Sequence, residues 1–184
     1  MIIFFGPTGS GKSMQGQLLA ARHGWRWISA GQLLRDVSDP SIYEALKNGQ
    51  LVPDEYINKL ILNSVDDVRN ADDIQRVILD GYPRTVDQAG VLFEHNKAHG
   101  ESIDIVVVLN ITEKEILKRL RLRGRMEDSP EIISDRLKQY SNTIQPILDF
   151  LSSKNVPVVQ IDGVGSVGAV HDRIEKTIEE MGAL

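Results

Sequence analysis

Cysteine is absent from the chain, which excludes disulfides and thiolate metal centres and agrees with a reducing compartment. Positive charge is in deficit: 21 Lys and Arg stand against 26 Asp and Glu, a net charge of −5. No overall basic field draws in nucleic acid, so a polyanionic ligand must be held by locally placed Lys and Arg. No apolar run approaches the ~18 residues that span a bilayer. The N-terminal run Ile2–Phe5 has the length of a strand and is too short for a signal peptide, so the cytoplasm is the expected location. Internal repeats, low-complexity tracts and Pro-, Gly- and Ser-rich linkers are also missing. What remains is 184 residues, 41% hydrophobic and 26% charged. This is enough for one domain with a sizeable core and small insertions.

Short apolar, β-branched runs alternate with longer amphipathic segments. Candidate strands are Ile2–Phe5, Trp25–Ile28, Val77–Leu79, Ile103–Leu109 and Val156–Ile161. The stretch Ile105 to Leu109 shows no polar alternation, as a strand buried on both faces requires. The pattern predicts a three-layer α/β fold, a five-stranded parallel sheet with helices on both sides. Ligands in such folds sit at the carboxyl ends of the strands. Gly6 onward, Ser29-Ala30-Gly31, Asp80-Gly81 and Asp162-Gly163 are therefore the first places to look for function.

Gly6-Pro7-Thr8-Gly9-Ser10-Gly11-Lys12-Ser13 satisfies every fixed position of the phosphate-loop pattern G-x-x-x-x-G-K-[ST], between an apolar strand and a helix-forming segment. Glycines let successive backbone N–H groups turn inward on an anion, and the helix that follows presents its positive end there. Lys12 is placed for the β- and γ-phosphates, and the Ser13 hydroxyl for Mg²⁺ or a phosphate oxygen. The strand Val77 to Leu79 ends in Asp80-Gly81. Alone this is a common turn, but beside a phosphate loop Asp80 reads as a holder of Mg²⁺, directly or through water.

Arginines gather from Arg119 to Arg136. Helical spacing puts Arg119 and Arg123 on one face and turns Arg121 away, Gly124 breaks the helix, and Ser129-Pro130 starts another that carries Arg136. A solvated face accounts for Arg121 and its lysine neighbours. Arg119, Arg123, Arg125 and Arg136 instead surround a loop able to fold over a nucleotide. A nucleic-acid patch is opposed by the intervening Glu127, Asp128, Glu131 and Asp135 and by the lack of an aromatic platform. His95 and His99 share a helical face but show no third ligand in sequence, and read as solvated helix. Trp25 and Trp27 alternate on a predicted strand and read as packing under a helix; Tyr140 and Pro146 read as packing of the helix that carries Arg136.

Five motifs in order extend the pattern: the phosphate loop, Ile28-Ser29-Ala30-Gly31-Gln32-Leu33-Leu34-Arg35, Gly49-Gln50-Leu51-Val52-Pro53-Asp54-Glu55, Leu79-Asp80-Gly81-Tyr82-Pro83-Arg84-Thr85 with Gln88, and Arg123-Gly124-Arg125-Met126-Glu127-Asp128 with Arg136. With them the chain resembles, end to end, the adenylate kinases and their nucleoside monophosphate kinase relatives of the short-lid type. The resemblance implies a P-loop kinase with an acceptor-binding insertion at about 30–58 and a lid at about 123–128. It implies ATP at Gly9, Ser10, Gly11, Lys12, Ser13, Met14 and Arg119, with Arg119 stacked on the base. The acceptor AMP would meet Ala30, Arg35, Val52, Gly81, Arg84 and Gln88. Lys12, Arg84, Arg123, Arg125 and Arg136 would be catalytic, and Ser13 and Asp80 would serve Mg²⁺, with no zinc expected.

Some positions depart from the family pattern. Ser13-Met14 replaces Gly-Thr, and the loop proline has moved by one. Ala30 and Gln32 replace Thr and Asp; Ala30 is similar to the uridylate and cytidylate kinases, whereas Gln88 points to AMP. The expected activity is reversible transfer from Mg·ATP to AMP by a cytoplasmic monomer, without nucleic-acid or membrane partners. UMP/CMP kinase activity, or a nucleotide-binding regulatory or assembly protein with weak catalysis, are the alternatives.

Overall fold

The computed structural model of the protein describes residues 1–47, 52–71, 76–123 and 129–184. Its strands are β1 (Ile2–Phe5), β2 (Arg26–Ser29), β3 (Val77–Asp80), β4 (Ile105–Asn110) and β5 (Val158–Asp162). Its helices are α1 (Lys12–His23), α2 (Ala30–Asp36), α3 (Pro40–Lys47), α4 (Asp54–Arg69), α5 (Val86–Ala98), α6 (Glu113–Arg123), α7 (Pro130–Ser153) and α8 (Val167–Glu180). The strands form one parallel sheet in the order β2-β3-β1-β4-β5. From β1 the chain first builds one side of the sheet and then crosses to the other. That switch of direction opens a crevice above the carboxyl end of β1.

The continuous hydrophobicity of β1 and β4 has its cause here, since both strands are buried on both faces. Ile3, Phe5, Val106 and Val108 pack with Ile57, Ile61 and Val65 of α4, Leu92 of α5 and Leu151 of α7. Ile2, Phe4, Ile105, Val107 and Leu109 face the opposite layer, where Leu19 of α1 and Val170, Ile174 and Ile178 of α8 lie. A smaller cluster of Ile116, Leu120 and Ile133 joins α6 to α7. Helix starts carry their own signals: the Ser29, Thr85, Ser129 and Ser166 side chains each accept a hydrogen bond from the backbone N–H three residues on.

Three predicted strands begin too early. Ile103 and Val156 are buried, yet they precede the hydrogen-bonded ladder, where they plug the bottom of the core. Hydrophobicity marks burial, and only pairing marks a strand. Trp25 likewise lies just outside β2, stacked on His23 at 4.7 Å, with the Arg76 guanidinium 4.9 Å from its ring centre. Trp27 does pack beneath a helix, against Gly16 of α1. Tyr140 is largely packed, and burial pushes its pKa up to about 12. Pro146 is inside α7 but exposed, so it is no part of that packing.

Candidate active site

The register of the sheet brings the sequence-selected groups to one edge. Asp80, the last residue of β3, pairs with Phe4 on one side and Ser29 on the other. The loop between β1 and α1 rises beside it. Gly6, Gly9 and Gly11 all have positive φ, at 149°, 77° and 101°. At Gly6 a Cβ would also lie 2.7 Å from Ser10 Oγ and 2.9 Å from the Leu109 carbonyl oxygen, so neither backbone nor space admits a side chain. Ser10 is buried within the loop.

Lys12 Nζ donates to the carbonyls of Gly6 at 2.6 Å and Pro7 at 2.9 Å, which holds the ammonium within the loop at the start of α1. Ser13 Oγ donates to Asp80 Oδ2 at 2.5 Å. A hydroxyl and a buried carboxylate side by side form a hard-oxygen donor pair of the kind Mg²⁺ takes, so the residues present fit that ion. Met14 stands on α1 and is about half exposed. Arg119 braces the loop from α6, donating to the Ser10 carbonyl at 3.1 Å and the Gly163 carbonyl at 2.9 Å. Glu115 accepts from its Nε at 3.0 Å. Thus Arg119 spans the loop after β1 and the loop after β5.

A small cleft opens on the other flank of Asp80. Ala30, Val52, Gly81, Arg84 and Gln88 line it, together with Leu34, Ile57 and Tyr82. Five of the six residues expected at an acceptor thus share one wall system. The sixth, Arg35, lies outside the cleft lining on α2, where its Nη2 donates to Gln32 at 3.1 Å. Gln88 is 4% exposed. Its Oε1 accepts from the Arg84 backbone N–H at 2.6 Å, and its Nε2 donates to Asp54 Oδ1 at 2.7 Å. The other Asp54 oxygen accepts from the Thr85 hydroxyl at 2.9 Å. Tyr82 donates to Asn58 Oδ1 at 2.6 Å, and burial, with the Asp54 charge in support, raises its pKa.

Arg84 Nε donates to the Gly81 carbonyl at 2.8 Å. The surrounding protein, and then the Arg136 guanidinium on α7, hold its pKa below the ordinary arginine value, against the opposing pull of Asp80. Arg84 lines the cleft with its side chain still exposed to water, and two like charges from separate elements lie within electrostatic reach of each other and of a carboxylate, an arrangement that an interposed phosphate would stabilise. Arg123 ends α6 as expected and its side chain lies outside the described residues, as do Arg125 and the loop 124–128. Sequence reasoning missed Asp54 as a site residue. Its place at the first turn of α4 is what the helix dipole favours in any acidic residue, so position alone gave it no distinguishing mark.

A glycine loop closed on a helix terminus, a hydroxyl–carboxylate pair beside it and an arginine-bordered cleft opposite define a phosphate-loop phosphotransferase. The family model described as adenylate kinase matches residues 4–156. The chain is 34% identical to an adenylate kinase of Mycolicibacterium smegmatis over 187 residues, covering 98% of both chains. It is 35% identical to one of Mycobacteroides abscessus over 96% of this chain and 98% of the relative. The adenylate kinase of Porphyromonas gingivalis is 34% identical over 97% of this chain and 95% of its own. The chain belongs to the adenylate kinase family.

Proposed function

We propose that the protein is an enzyme that transfers the γ-phosphoryl group of Mg·ATP reversibly to AMP, giving two ADP. The observation that carries this reading is the placing of two different sites on either side of Asp80: a phosphate loop, and a cleft whose floor holds an oriented, buried amide at Gln88. Phosphoryl transfer needs little covalent chemistry from a protein. It needs the two substrates in line and the charge on the equatorial oxygens neutralised.

In this reading the loop N–H groups, the positive end of α1 and Lys12 hold the donor phosphates, with Gly9, Ser10, Gly11, Ser13 and Met14 alongside. Arg119 covers the base while bracing the loop. Arg35 and Arg84 take the acceptor phosphate, and Ala30, Val52 and Gly81 shape its pocket. Arg123, Arg125 and Arg136 face the transferring group with Arg84. Ser13 and Asp80 would hold Mg²⁺, which supplies neutralisation of the β- and γ-oxygens when bound. Residues 30–58 and 123–128 are read as the two parts that close over acceptor and donor and exclude water. A cytoplasmic monomer fits the net charge and composition, and among the described residues no helix is long and apolar enough to cross a membrane.

Acceptor choice rests on Gln88. Beyond its bonds to Arg84 and Asp54 the amide keeps a second Nε2–H and a second Oε1 lone pair, a donor and an acceptor that the adenine edge can use and a pyrimidine does not match, which disfavours UMP and CMP despite Ala30. The test is ADP formation from Mg·ATP with AMP, dAMP, GMP, CMP and UMP in turn. AMP is expected to give the highest kcat/KM. A higher value with UMP or CMP would make Ala30 the determinant and overturn the assignment. ATP and AMP binding without ADP formation would leave a nucleotide-dependent switch instead of an enzyme.

A further inference from the structure

His95 near the end of α5 and His99 just beyond it are more than a solvated face, although His99 is exposed, because the fold supplies the third group that the sequence does not show. Helices α4 and α5 start together at the acceptor cleft, where Asp54 grips Thr85 and Gln88, and they meet again near their C-terminal ends. There Asp66 of α4 accepts from His95 Nε2, the two atoms 2.8 Å apart. Among the described residues, one ligand atom each of Asp66, His95 and His99 lie within 4.8 Å of one another. Two donors about 2.1 Å from a shared ion can be at most about 4.2 Å apart, so the set stands within a few tenths of an ångström of coordination distance.

The surroundings favour a cation. His99 Nδ1 bonds to the His95 carbonyl at 2.8 Å, which selects the tautomer that leaves the Nε2 lone pair available. Arg69, which also bonds Asp66, is held by Glu101 through both Nε and Nη2, at 2.7 and 3.0 Å. The carboxylates of Asp66 and Glu101 thus outnumber the single guanidinium between them. Two imidazoles and one carboxylate suit zinc and its late first-row neighbours, whereas Mg²⁺ and Ca²⁺ demand oxygen. With Asp66 and His95 half-buried and His99 exposed, a fourth position is left to water. We infer that Asp66, His95 and His99 form a binding site for a zinc-class divalent ion that cross-links α4 to α5. It lies about 18 Å along α4 from Asp54, outside the nucleotide machinery.

The remaining histidines provide an internal control. His23 and His171 approach Glu175 at 3.0 and 3.6 Å, and that carboxylate, like Asp66, also carries an arginine, Arg22 at 2.9 Å, but among the described residues no comparably close set of three ligand atoms includes them. Nucleotide-free full-length protein is titrated with ZnCl₂ by calorimetry, and its melting temperature is followed with and without the ion. One Zn²⁺ per chain and a raised melting temperature are expected for the parent and for His23→Gln. His95→Gln and His99→Gln should each bind at least about tenfold more weakly and lose the thermal shift, since even indirect partners of a metal are worth roughly 10–100-fold. His99 is exposed, so H99Q decides the matter if H95Q does not fold. Equal affinity in the parent and H99Q, loss of binding in H23Q, or no saturable binding up to about 1 mM Zn²⁺ would overturn the site.

Discussion

Asp54 shows how much one side chain does here. Its two oxygens are spent on two different groups of the neighbouring helix start, the Thr85 hydroxyl and the Gln88 amide. With Gln88 Oε1 fixed by the Arg84 N–H, the amide can stand in only one orientation, Nε2 toward Asp54. In the proposed function, Asp54 is therefore a positioning residue for acceptor recognition. Asp54→Asn keeps the shape but removes the charge from the bond, which is worth about 1.5–3 kcal/mol. The expected outcome is a rise in the AMP KM of roughly 10–100-fold, with the KM for ATP and the far-UV circular dichroism unchanged. Steady-state kinetics with each substrate varied in turn checks it. A fall in kcat with both KM values intact would place Asp54 in the chemical step instead.

At the level of elements, the order of strands and helices was legible because each strand buried on both faces is bounded by residues with a local job. Glycines with positive φ follow β1, and capping Ser or Thr residues precede α2, α5, α7 and α8. The phosphate loop and Asp80 were legible for the same reason: local spacing encodes both. What could not be read was lateral. Nothing in the sequence near His95 announces Asp66, 29 positions away, and nothing near Gln88 announces Asp54. Both pairings arise because α4 and α5 pack side by side, and that packing rests on a few apolar residues. Ile61 of α4 is completely buried against the sheet. Ile61→Ala should cost about 2–5 kcal/mol in urea unfolding, since the methyl groups lost leave a cavity that helix and sheet cannot fill. Leu122→Ala, at a position 82% exposed, should leave the midpoint where it is.

Across the whole molecule, the arginines of the proposed site come from several elements. Arg84 follows β3, Arg119 and Arg123 belong to α6, and Arg136 rides on α7, with Arg84 and Arg136 close enough to feel each other's charge. Charge placed on a transferring phosphoryl group is worth about 10³ or more in rate. Arg136→Ala should accordingly lower kcat by at least ~10³ with a smaller change in KM, whereas Arg121→Ala, on the solvent side of α6, should change neither. Equal rates for the two variants would remove Arg136 from the chemistry. The corner formed by α1 and β2 has a consequence of another kind. Both tryptophans of the chain are there, Trp27 with its ring edge on Gly16 and Trp25 sandwiched between His23 and Arg76. Intrinsic fluorescence excited at the indole is therefore a single-corner signal. It reports whether the helix behind the phosphate loop is seated on the sheet, and because no tryptophan lines the cleft at Gln88, an optical probe of that cleft has to be introduced there.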